Sequence, residues 1–443
     1  MSSFDTNDTI VAIATPAGVG GIAVVRVSGL RALEIVSCLT GSEWKKETES
    51  HKAKLQKLYS ELETLIDEAL ILPMLGTSSY TGEDTIEFFC HGGNVVAENV
   101  VSACVSFGAR PATAGEFTRR AFLNGKLSLD QSEAVVDLIH AETTLAASAA
   151  LGQLRGGTKK EILQIEQPLL SLLSELEGGL EFLEEEHPEM PRNQLAEKIG
   201  AALEKISDLL LLAETGKSVR DGVNVVLVGA PNCGKSSLFN AMLSDDRAIV
   251  DSSAGTTRDV ISEAIIIDGL KFILHDTAGV RATKEGVEQK GIKRTHKSVA
   301  DADIVLLLKS QDTEPVEVNT SSPSIIVGTK NDIAPIECDI ETSSLEKSGI
   351  KKLKNEMLLV ARRGDVEKML RMGLFLNERH RHKLQSSQAN LIDLKTQILD
   401  NKIGDDIVAT LLASTLTELG EISGRVYTES LLEEVFSKFC VGK

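Results

Sequence analysis

The chain has few of the features that mark secreted or membrane proteins. Only six of its 443 residues are cysteines, and none form a CxxC pair, so neither a zinc site nor a disulfide framework is expected. No apolar run approaches the roughly 20 residues needed to span a bilayer. The N-terminus has neither the basic region nor the apolar core of a signal peptide. We therefore expect a cytoplasmic protein without membrane association.

Positive charge is also scarce. The chain has 47 Lys and Arg against 65 Asp and Glu, which gives a net charge of −18. This balance argues against broad electrostatic adhesion to nucleic acid, so any RNA contact must use a local basic patch. The run of basic residues and histidines at 379–383 is one candidate. At about 100–200 residues per domain, the length predicts two to four domains.

A phosphate-binding loop is the clearest motif. Residues 229–237, GAPNCGKSS, follow the apolar run 223–228 and precede a helical pattern. In a P-loop the backbone N–H groups and the helix N-terminus hold phosphate. Lys235 then reaches the outer phosphates and Ser236 binds Mg²⁺. The alternative is a chance glycine turn, which the motifs downstream disfavour.

Two switch-type motifs follow the P-loop. GTTRD at 255–259 precedes a predicted strand at 261–267, and a threonine there can add a Mg²⁺ ligand when a γ-phosphate is present. DTAG at 276–279 follows another predicted strand. Asp276 is placed to hold the Mg²⁺ shell, and Gly279 can meet the γ-phosphate with its N–H.

A guanine-selecting motif comes next. TKND at 329–332 follows a predicted strand, and Asp332 can accept hydrogen bonds from the guanine N1 and amino groups while the Lys330 stem covers the base. Adenine has no such donor pair, so GTP is the predicted nucleotide. Ser343 and Ser344 form a weaker candidate for the last base contact. Together these motifs predict a GTPase.

The hydrolytic step needs an unusual arrangement. Val280 stands where Ras-like enzymes carry the glutamine that orients the attacking water. Glu288 is a candidate for that role, acting through a bridging water, and a solvated helix residue is the alternative. Asn232, within the P-loop, can reach a monovalent cation beside the phosphates, which would replace the charge of an arginine finger.

Charged residues interrupt the apolar strands of the N-terminal region. Arg26 is either a solvated edge-strand residue or part of an anion site. Glu87 also lies in an apolar strand, where a carboxylate needs a partner. Arg119, Arg120 and Lys126 form a basic group, which is either a solvated face or an anion site assembled with Arg26.

The domain pattern is helix, α/β block, helix. Helical spacing of apolar residues runs from 129 to about 213, where Gly216 is expected to end a helix, and it resumes after 371. Between them, 217–365 alternates predicted strands and helices. This pattern predicts a nucleotide domain inserted into a helical domain, with its two ends close together.

The chain resembles the tRNA modification GTPase family MnmE (TrmE), of the TRAFAC class. The resemblance is carried by four stretches: DTIVAIATPAGVGGIAVVRVSG, YTGEDTIEFFCHGG, GEFTRRAFLNGKLSLDQSEAVVDLI and the tail FCVGK. It implies a multi-domain fold, α/β and all-α. An N-terminal α+β folate-binding-like domain that dimerises would span 1–119. A discontinuous helical domain would span 120–215 and 367–443, and a Ras-like P-loop G domain would span 216–366.

The resemblance also implies a function. A homodimer would work with an FAD-containing MnmG-type partner, in a heterotetramer, to add a (carboxymethyl)aminomethyl group to C5 of the wobble uridine of certain tRNAs. FAD would come only through the partner. GTP hydrolysis would be stimulated by potassium through G-domain dimerisation. The alternative is a regulatory GTPase switch in ribosome or complex assembly, without one-carbon chemistry.

The site residues implied by the resemblance can be assigned by position. The formyl-tetrahydrofolate site falls on Arg26, Glu87, Lys126 and Lys443; potassium on Asn232, Asp251, Ser253 and Thr256; Mg²⁺ on Ser236 and Thr257; and the catalytic role on Glu288. The GTP-binding residues would be Asn232, Cys233, Gly234, Lys235, Ser236, Ser237, Asp251, Ser252, Ser253, Ala254, Gly255, Thr256, Thr257, Asp276, Thr277, Ala278, Gly279, Thr329, Lys330, Asp332, Ser343 and Ser344.

Two positions near these sites carry further expectations. Thr329 replaces the family's asparagine, so we expect a contact that braces the P-loop to be lost and nucleotide affinity to fall. Cys440 occupies the position of the family's tail cysteine, and we expect it to be packed rather than to act as a catalytic thiol.

Overall fold

The computed structural model describes residues 8–45, 47–181, 190–246, 261–276, 299–314, 316, 318–361 and 365–443. The chain divides into two compact units. The first comprises Met1–Val136 with Gly420–Lys443, and the second comprises Asp137–Leu419. In the described residues, no helix combines the length and apolarity that crossing a membrane requires.

A six-stranded sheet organises the first unit. Its strands are β1 (Ile10–Ile13), β2 (Ile22–Ser28), β3 (Lys54–Tyr59), β4 (Leu65–Met74), β5 (Thr85–His91) and β6 (Arg110–Pro111). Their order is β3-β4-β5-β2-β1-β6, and only the β1–β6 pair is parallel. Helices α1 (Ala32–Thr40) and α2 (Asn94–Ser106) contribute to the core on one face of the sheet.

The other face of this sheet packs against α3 (Glu116–Leu123), whose Phe117 joins a buried cluster with Ile10 and Ala12. Alternation along β2 sends Val25 and Val27 into the α1–α2 core, so Arg26 points to the α3 face. Since β2 lies between β5 and β1, the interpretation of Arg26 as an edge-strand residue is wrong.

The C-terminal segment completes the first unit. The last helix, α13 (Glu429–Phe436), and Phe439 pack with Phe122 of α3 in one apolar cluster. Val441 then pairs with Ala114 as an antiparallel bridge. The end of the chain is therefore held beside α3 by both side chains and backbone.

Long helices form much of the second unit. The helices between α3 and the nucleotide domain are α4 (Leu129–Ile139), α5 (Thr144–Leu154), α6 (Gly157–Glu181) and α7 (Arg192–Asp221). The expected helix end at Gly216 is wrong, because α7 continues to Asp221. A Cβ at Gly216 would lie 3.3 Å from the Leu376 carbonyl oxygen, so this glycine allows close backbone approach instead.

The nucleotide domain is a second six-stranded sheet. Its strands are β7 (Val223–Gly229), β8 (Ile261–Ile267), β9 (Leu270–Asp276), β10 (Ile304–Lys309), β11 (Ser324–Gly328) and β12 (Ile340–Glu341), in the order β12-β11-β10-β7-β9-β8. All neighbouring pairs are parallel except β8–β9. Helices α8 (Lys235–Asp246) and α9 (Ile350–Ala361) belong to this domain.

The chain then returns to the helical part through α10 (Val366–Met372), α11 (Glu378–Leu399) and α12 (Asp405–Ser423). Helix α7, which precedes the nucleotide domain, packs against both α10 and α11, which follow it. The α/β block is thus inserted between helices that contact each other, which confirms the predicted fold class.

Two members of the basic group of the first unit, Arg119 and Arg120, lie neither on a solvated face nor in an anion site with Arg26. Arg119 and Arg120 are buried, at 8% and 4% exposure. Arg119 donates to the Glu429 carboxylate. Arg120 bonds the carboxylates of Asp8, Glu83 and Glu116. Both earlier interpretations of these two arginines are therefore wrong.

Glu116 is the buried centre of this ionic network. It is 3% exposed and accepts from Arg110 at 2.6 Å and from Arg120 at 3.1 Å. Burial alone would raise its pKa, but Arg110, the Thr113 N–H and Arg120 together outweigh burial and lower the pKa to about 2. The carboxylate therefore stays ionised at pH values well below those at which an ordinary glutamate becomes protonated.

Replacing Glu116 with glutamine should destabilise the first unit at pH 7 by about 2–3 kcal/mol. Because the folded pKa of about 2 lies below the ordinary 4.5, this stabilisation is complete above about pH 5 and disappears as pH falls towards 2. Trp44, the only tryptophan and 6% exposed in the same unit, reports the urea midpoint by fluorescence.

The matched control is Glu34→Gln, which removes an exposed glutamate that also pairs with an arginine, Arg31, at 2.8 Å. This control should change the midpoint little, because exposed ion pairs add little stability. An unchanged midpoint in Glu116→Gln at pH 7, or a loss that does not shrink between pH 5 and pH 3, would contradict the prediction.

Candidate functional site

The P-loop lies between β7 and α8, and its backbone explains its glycines. A Cβ at Gly229 would lie 2.6 Å from the Cys233 sulfur and 2.8 Å from the Leu308 carbonyl oxygen. Gly234 has a φ of 92° and Asn232 a φ of 64°, both in the left-handed region that favours glycine and tolerates asparagine. The loop thus turns sharply and opens α8 at Lys235.

The P-loop lysine and serine are held by neighbours. Lys235 is buried, and its ammonium donates to the carbonyls of Gly229 and Ala230 at 2.7 and 2.8 Å. The Ser236 hydroxyl donates to the Asp276 carboxylate at 2.9 Å. The structure therefore brings together two of the side chains predicted to surround Mg²⁺, although they are 40 residues apart.

Thr329 links the base-recognition loop to the P-loop. Its hydroxyl, which is buried, lies within hydrogen-bonding distance of the Cys233 carbonyl and 3.1 Å from the Lys309 carbonyl. A hydroxyl has one proton, so it donates to one of these acceptors at a time. The expected loss of the brace is wrong, since the threonine hydroxyl supplies a contact to the P-loop, whereas the expected fall in nucleotide affinity stays a prediction.

Asp332 and Ser343 meet in the same region. The Ser343 hydroxyl donates to the Asp332 carboxylate at 2.6 Å, and Ser343 is fully buried. Ser344, its neighbour, is partly buried. The loosely conforming serine motif is thus connected to the guanine-selecting aspartate by a direct hydrogen bond.

Asp312 is a residue of this site that the sequence analysis missed. Its carboxylate accepts from the Lys330 ammonium at 2.6 Å and from the Ser310 hydroxyl at 2.6 Å. The hydrogen bond from Lys330 lowers the pKa of Asp312. The only signal in the sequence was its position just after the strand β10, which is the neighbour of β11.

Several predicted site residues lie outside the described residues. They are Asp251, Ser252, Ser253, Ala254, Gly255, Thr256, Thr257, Thr277, Ala278, Gly279 and Glu288. Val280, whose identity argues against a Ras-like glutamine mechanism, lies outside them as well. Of the predicted potassium ligands, the structure therefore describes only Asn232. Of the two predicted Mg²⁺ ligands, it describes only Ser236.

A second cluster of predicted residues lies in the first unit. Arg26 and Glu87 are cross-strand neighbours on β2 and β5, and they form an ion pair at 2.8 Å. The Arg26 guanidinium also lies 3.4 Å from the Gly442 carbonyl. Glu87 therefore has the partner that its apolar strand required.

Lys443 completes this cluster from the end of the chain. Burial lowers the pKa of Lys443, the charge of Arg26 lowers it further, and Glu87 opposes both. The main-chain oxygen of Lys443 accepts from the Phe117 N–H at 3.2 Å. Three of the four predicted folate residues are thus brought together, from three distant parts of the sequence.

Two aromatic residues that the sequence analysis missed surround Arg26. The rings of Tyr80 and Phe117 lie 5.7 and 5.6 Å from its guanidinium carbon. The fourth predicted folate residue, Lys126, is engaged elsewhere, where it donates to the Thr77 carbonyl at 2.7 Å. Thr77 is three residues before Tyr80, so one chain segment contacts both cations.

A cavity of about 1000 Å³ opens in the same unit. The glycine loop between β1 and β2, the start of α2 and the tail line it, and the tail contributes Cys440 and Val441. Cys440 is exposed, so the expectation of a packed cysteine is wrong. None of the four predicted folate residues lines this cavity, but Val441 is two residues from Lys443.

Thr329→Val should weaken guanine-nucleotide binding about tenfold, because it leaves the Cys233 carbonyl without the hydroxyl donor, at a cost of about 1–2 kcal/mol. Thr329→Ser keeps the hydroxyl and is the matched control, with near-wild-type affinity expected. Titration with a fluorescent guanine nucleotide measures both. Equal affinity of the valine and serine variants would show that the hydroxyl does not brace the loop.

Two family models together match almost the whole chain. One, described as the GTP-binding protein TrmE N-terminus, matches residues 9–126. The other, described as the MnmE helical domain, matches residues 129–440. Among solved structures, the G domain of the FeoB iron transporter of T. maritima is 24% identical over 31% of this chain and 98% of its own. Its TM-score of 0.24 is too low to support a structural conclusion.

Full-length relatives agree with the family models. The tRNA modification GTPase MnmE of Aquifex aeolicus is 37% identical over 98% of this chain and 100% of its own length. The protein of the same description from Dichelobacter nodosus is 38% identical over 99% of both chains. The predicted family is therefore confirmed: the chain belongs to the tRNA modification GTPases of the MnmE family.

Proposed function

We propose that this chain hydrolyses GTP to drive the modification of tRNA at C5 of the wobble uridine. An FAD-containing MnmG-type protein is the partner, and the product is a (carboxymethyl)aminomethyl group. The observation that carries the proposal is the joining, in one chain, of a P-loop site with a folate-type cluster of Arg26, Glu87 and Lys443. We place this activity in the cytoplasm and assign it to a homodimer in a heterotetramer with the partner.

The nucleotide site supports hydrolysis of GTP in particular. Thr329 connects the P-loop to the loop of Asp332, and Ser343 fixes one oxygen of that carboxylate. A carboxylate held at this position accepts from two guanine N–H groups, which adenine lacks in that arrangement. Lys330, held by Asp312, lies beside it to cover the base.

The oxygen atoms at the P-loop fit Mg²⁺. Ser236 and Asp276 present a hydroxyl and a carboxylate 2.9 Å apart, and Mg²⁺ prefers such oxygen ligands together with substrate phosphates. We assign Ser236 and Thr257 as its protein ligands, with Asp276 orienting the shell. When bound, the ion would neutralise charge on the phosphates during transfer. We assign Glu288 to orient the attacking water.

Potassium is the proposed activating cation. The Asn232 side chain is exposed at the P-loop, and its amide oxygen is a suitable ligand for a monovalent cation next to the phosphates. Asp251, Ser253 and Thr256 are its assigned companions. A cation there would supply the positive charge that an arginine finger supplies in other GTPases.

The first unit supports a folate role. Arg26 and Lys443 are cations suited to the glutamate carboxylates of a formyl-tetrahydrofolate. Glu87 keeps a second carboxylate oxygen beyond its bond to Arg26, suited to the pterin N–H groups. The nearby cavity of about 1000 Å³ is large enough for a ligand of that size. Lys126 is the fourth assigned residue.

The competing function is a regulatory GTPase switch without one-carbon chemistry. Such a switch needs the nucleotide site but not the cluster around Arg26. The convergence of the tail on Arg26 favours the enzyme, because the Gly442 carbonyl contacts Arg26 and the charges of Arg26 and Glu87 act on the pKa of the next residue, Lys443.

The variant Lys443→Met distinguishes the proposed tRNA-modifying enzyme from the regulatory switch. We expect it to keep GTP turnover, to lose binding of 5-formyl-tetrahydrofolate, and to fail to restore wobble-uridine modification in cells lacking the protein, as measured by mass spectrometry of tRNA nucleosides. Lys438→Met is the matched control, since Lys438 is an exposed lysine five residues earlier that contacts Glu434.

Different failures have different meanings. If Lys443→Met binds folate and restores the modification, the folate assignment is wrong while the enzyme function survives. If even the wild-type chain does not restore the modification, the enzyme function fails and the regulatory switch is favoured.

Asn232→Gly should abolish the stimulation of GTP turnover by K⁺ over Na⁺ while leaving GTP binding intact. Glycine is chosen because the φ of 64° would strain an alanine, so only the amide is removed. Turnover of the variant in Na⁺ should equal that of wild type in Na⁺. A wild-type chain with equal rates in both salts, or a variant that still responds to K⁺, would contradict the cation assignment.

A further inference from the structure

A basic surface lies across three helices of the second unit. It carries six cationic side chains, which we call the α6–α7–α10 face: Lys159, Lys160, Lys205, Lys368 and Arg371 on the three helices, and Arg155 between α5 and α6. Five of them are exposed residues, and Lys368 is partly buried. The same helices also carry carboxylates, among them Asp208 of α7 and Glu367 of α10, so the six cations are interspersed with acidic residues.

The face is continuous because its helices touch. A Cβ at Gly157, the first residue of α6, would lie 2.1 Å from the Gly373 carbonyl oxygen at the end of α10. The Lys205 ammonium of α7 donates to the Gln164 carbonyl of α6 at 3.3 Å. Lys368 of α10 lies 3.5 Å from Asp208 of α7. Each helix of the face therefore contacts the other two.

The helix dipole does not favour the two lysines of α6. Lys159 and Lys160 lie in its first turn, which has no acidic residue. The dipole favours acidic side chains there and disfavours cations. Both lysines therefore run against one local preference for helix stability.

A groove runs along this part of α6. It has a volume of about 340 Å³ and is lined by Gly156, Lys159, Lys160, Leu163, Gln164 and Gln167. From Lys159 to Gln167 the helix rises about 12 Å. Lysine ammonium groups and glutamine amides are the donors that contact phosphate and sugar oxygens in nucleic-acid complexes.

Two cations of the face make weak contacts with carboxylates. Lys368 and Arg371 lie 3.5 and 3.9 Å from Asp208 and Asp365, and all four side chains are largely exposed. Exposed ion pairs of this kind contribute little stability, so an incoming phosphate can replace them at little cost.

The basic run at 379–383 is a poorer candidate. His380 is fully buried and caps α11. Arg381 and His382 both contact Glu378. Fewer of its side chains are therefore available to an RNA than the sequence indicates, and the run stays an untested candidate.

We propose that the α6–α7–α10 face binds the phosphate backbone of the tRNA substrate. The proposal rests on the proposed tRNA modification function and adds the surface that holds the substrate. The charge of the face selects a polyanion, and its groove contributes amide donors suited to the sugar and phosphate edge of RNA. Because such contacts read no sequence, the face positions tRNA and leaves the choice of tRNA to other residues.

The test removes the charge of two lysines and keeps a polar side chain at each position. Lys159→Gln/Lys160→Gln in the full-length protein should bind an unmodified tRNA transcript about three- to tenfold more weakly at about 0.1 M salt. The slope of log affinity against log salt should fall by about two, one for each lost phosphate contact. Fluorescence anisotropy with labelled tRNA measures both quantities.

The matched control is Lys351→Gln/Lys352→Gln, an equally exposed adjacent pair on α9 of the nucleotide domain. It has the same change in net charge and should leave tRNA affinity unchanged. GTP turnover should be unchanged in both double variants, which shows that both are folded. Lys205→Gln, on a different helix, should weaken tRNA binding with a slope change of about one.

Three outcomes would overturn the proposal, and they have different meanings. If wild type binds tRNA and both double variants bind it equally well, the surface is wrong while the proposed function stands. If the α6 variant instead loses binding of polyglutamate but not of tRNA, the occupant is an acidic polypeptide. Failure of wild type itself to bind tRNA would count against the proposed function as well.

Discussion

The nucleotide site depends on the alignment of parallel strands. β7, β9 and β11 run in the same direction, so the P-loop, Asp276 and Thr329 all follow the carboxyl ends of strands at one edge of the sheet. Side-chain hydrogen bonds then connect these three loops, from Thr329 to Cys233 and from Ser236 to Asp276. The sheet sets the approximate positions, and a few hydroxyl groups fix the loops relative to one another.

This alignment explains which features the sequence could predict. The P-loop, DTAG and TKND motifs are local sequence patterns that begin at strand ends. Once the strands are known to be parallel, these strand ends are expected to lie close together. Asp312 could not be found this way, because its role depends on which strand is the neighbour of β11. Gly216 was misinterpreted for a similar reason, since the backbone that approaches it comes from the loop before α11. The expectation that a glycine ends a helix depends on residue type alone and does not take such a contact into account.

For the charged residues of the first unit, the sequence could likewise not predict which residues they contact. Arg26 and Glu87 were recognisable as unusual because each interrupts an apolar strand. Their mutual ion pair depends on a register between strands 61 residues apart. Arg119 and Arg120 were misinterpreted because their partners Glu429 and Asp8 are 310 and 112 residues away. Sequence therefore indicates that a buried charge needs a partner, whereas only the folded chain identifies it.

The three anion sites proposed for this protein share one electrostatic arrangement. Lys235 donates to P-loop carbonyls, Arg26 pairs with Glu87, and Lys368 lies beside Asp208. Each cation already has an acceptor in the protein, so an anionic ligand binds by replacing or sharing that acceptor. Such an exchange lowers the affinity for any single phosphate or carboxylate group. It therefore favours ligands that make several contacts at once. With this arrangement, the proposed nucleotide, folate and RNA sites lie in a strongly acidic chain that does not attract anions in general.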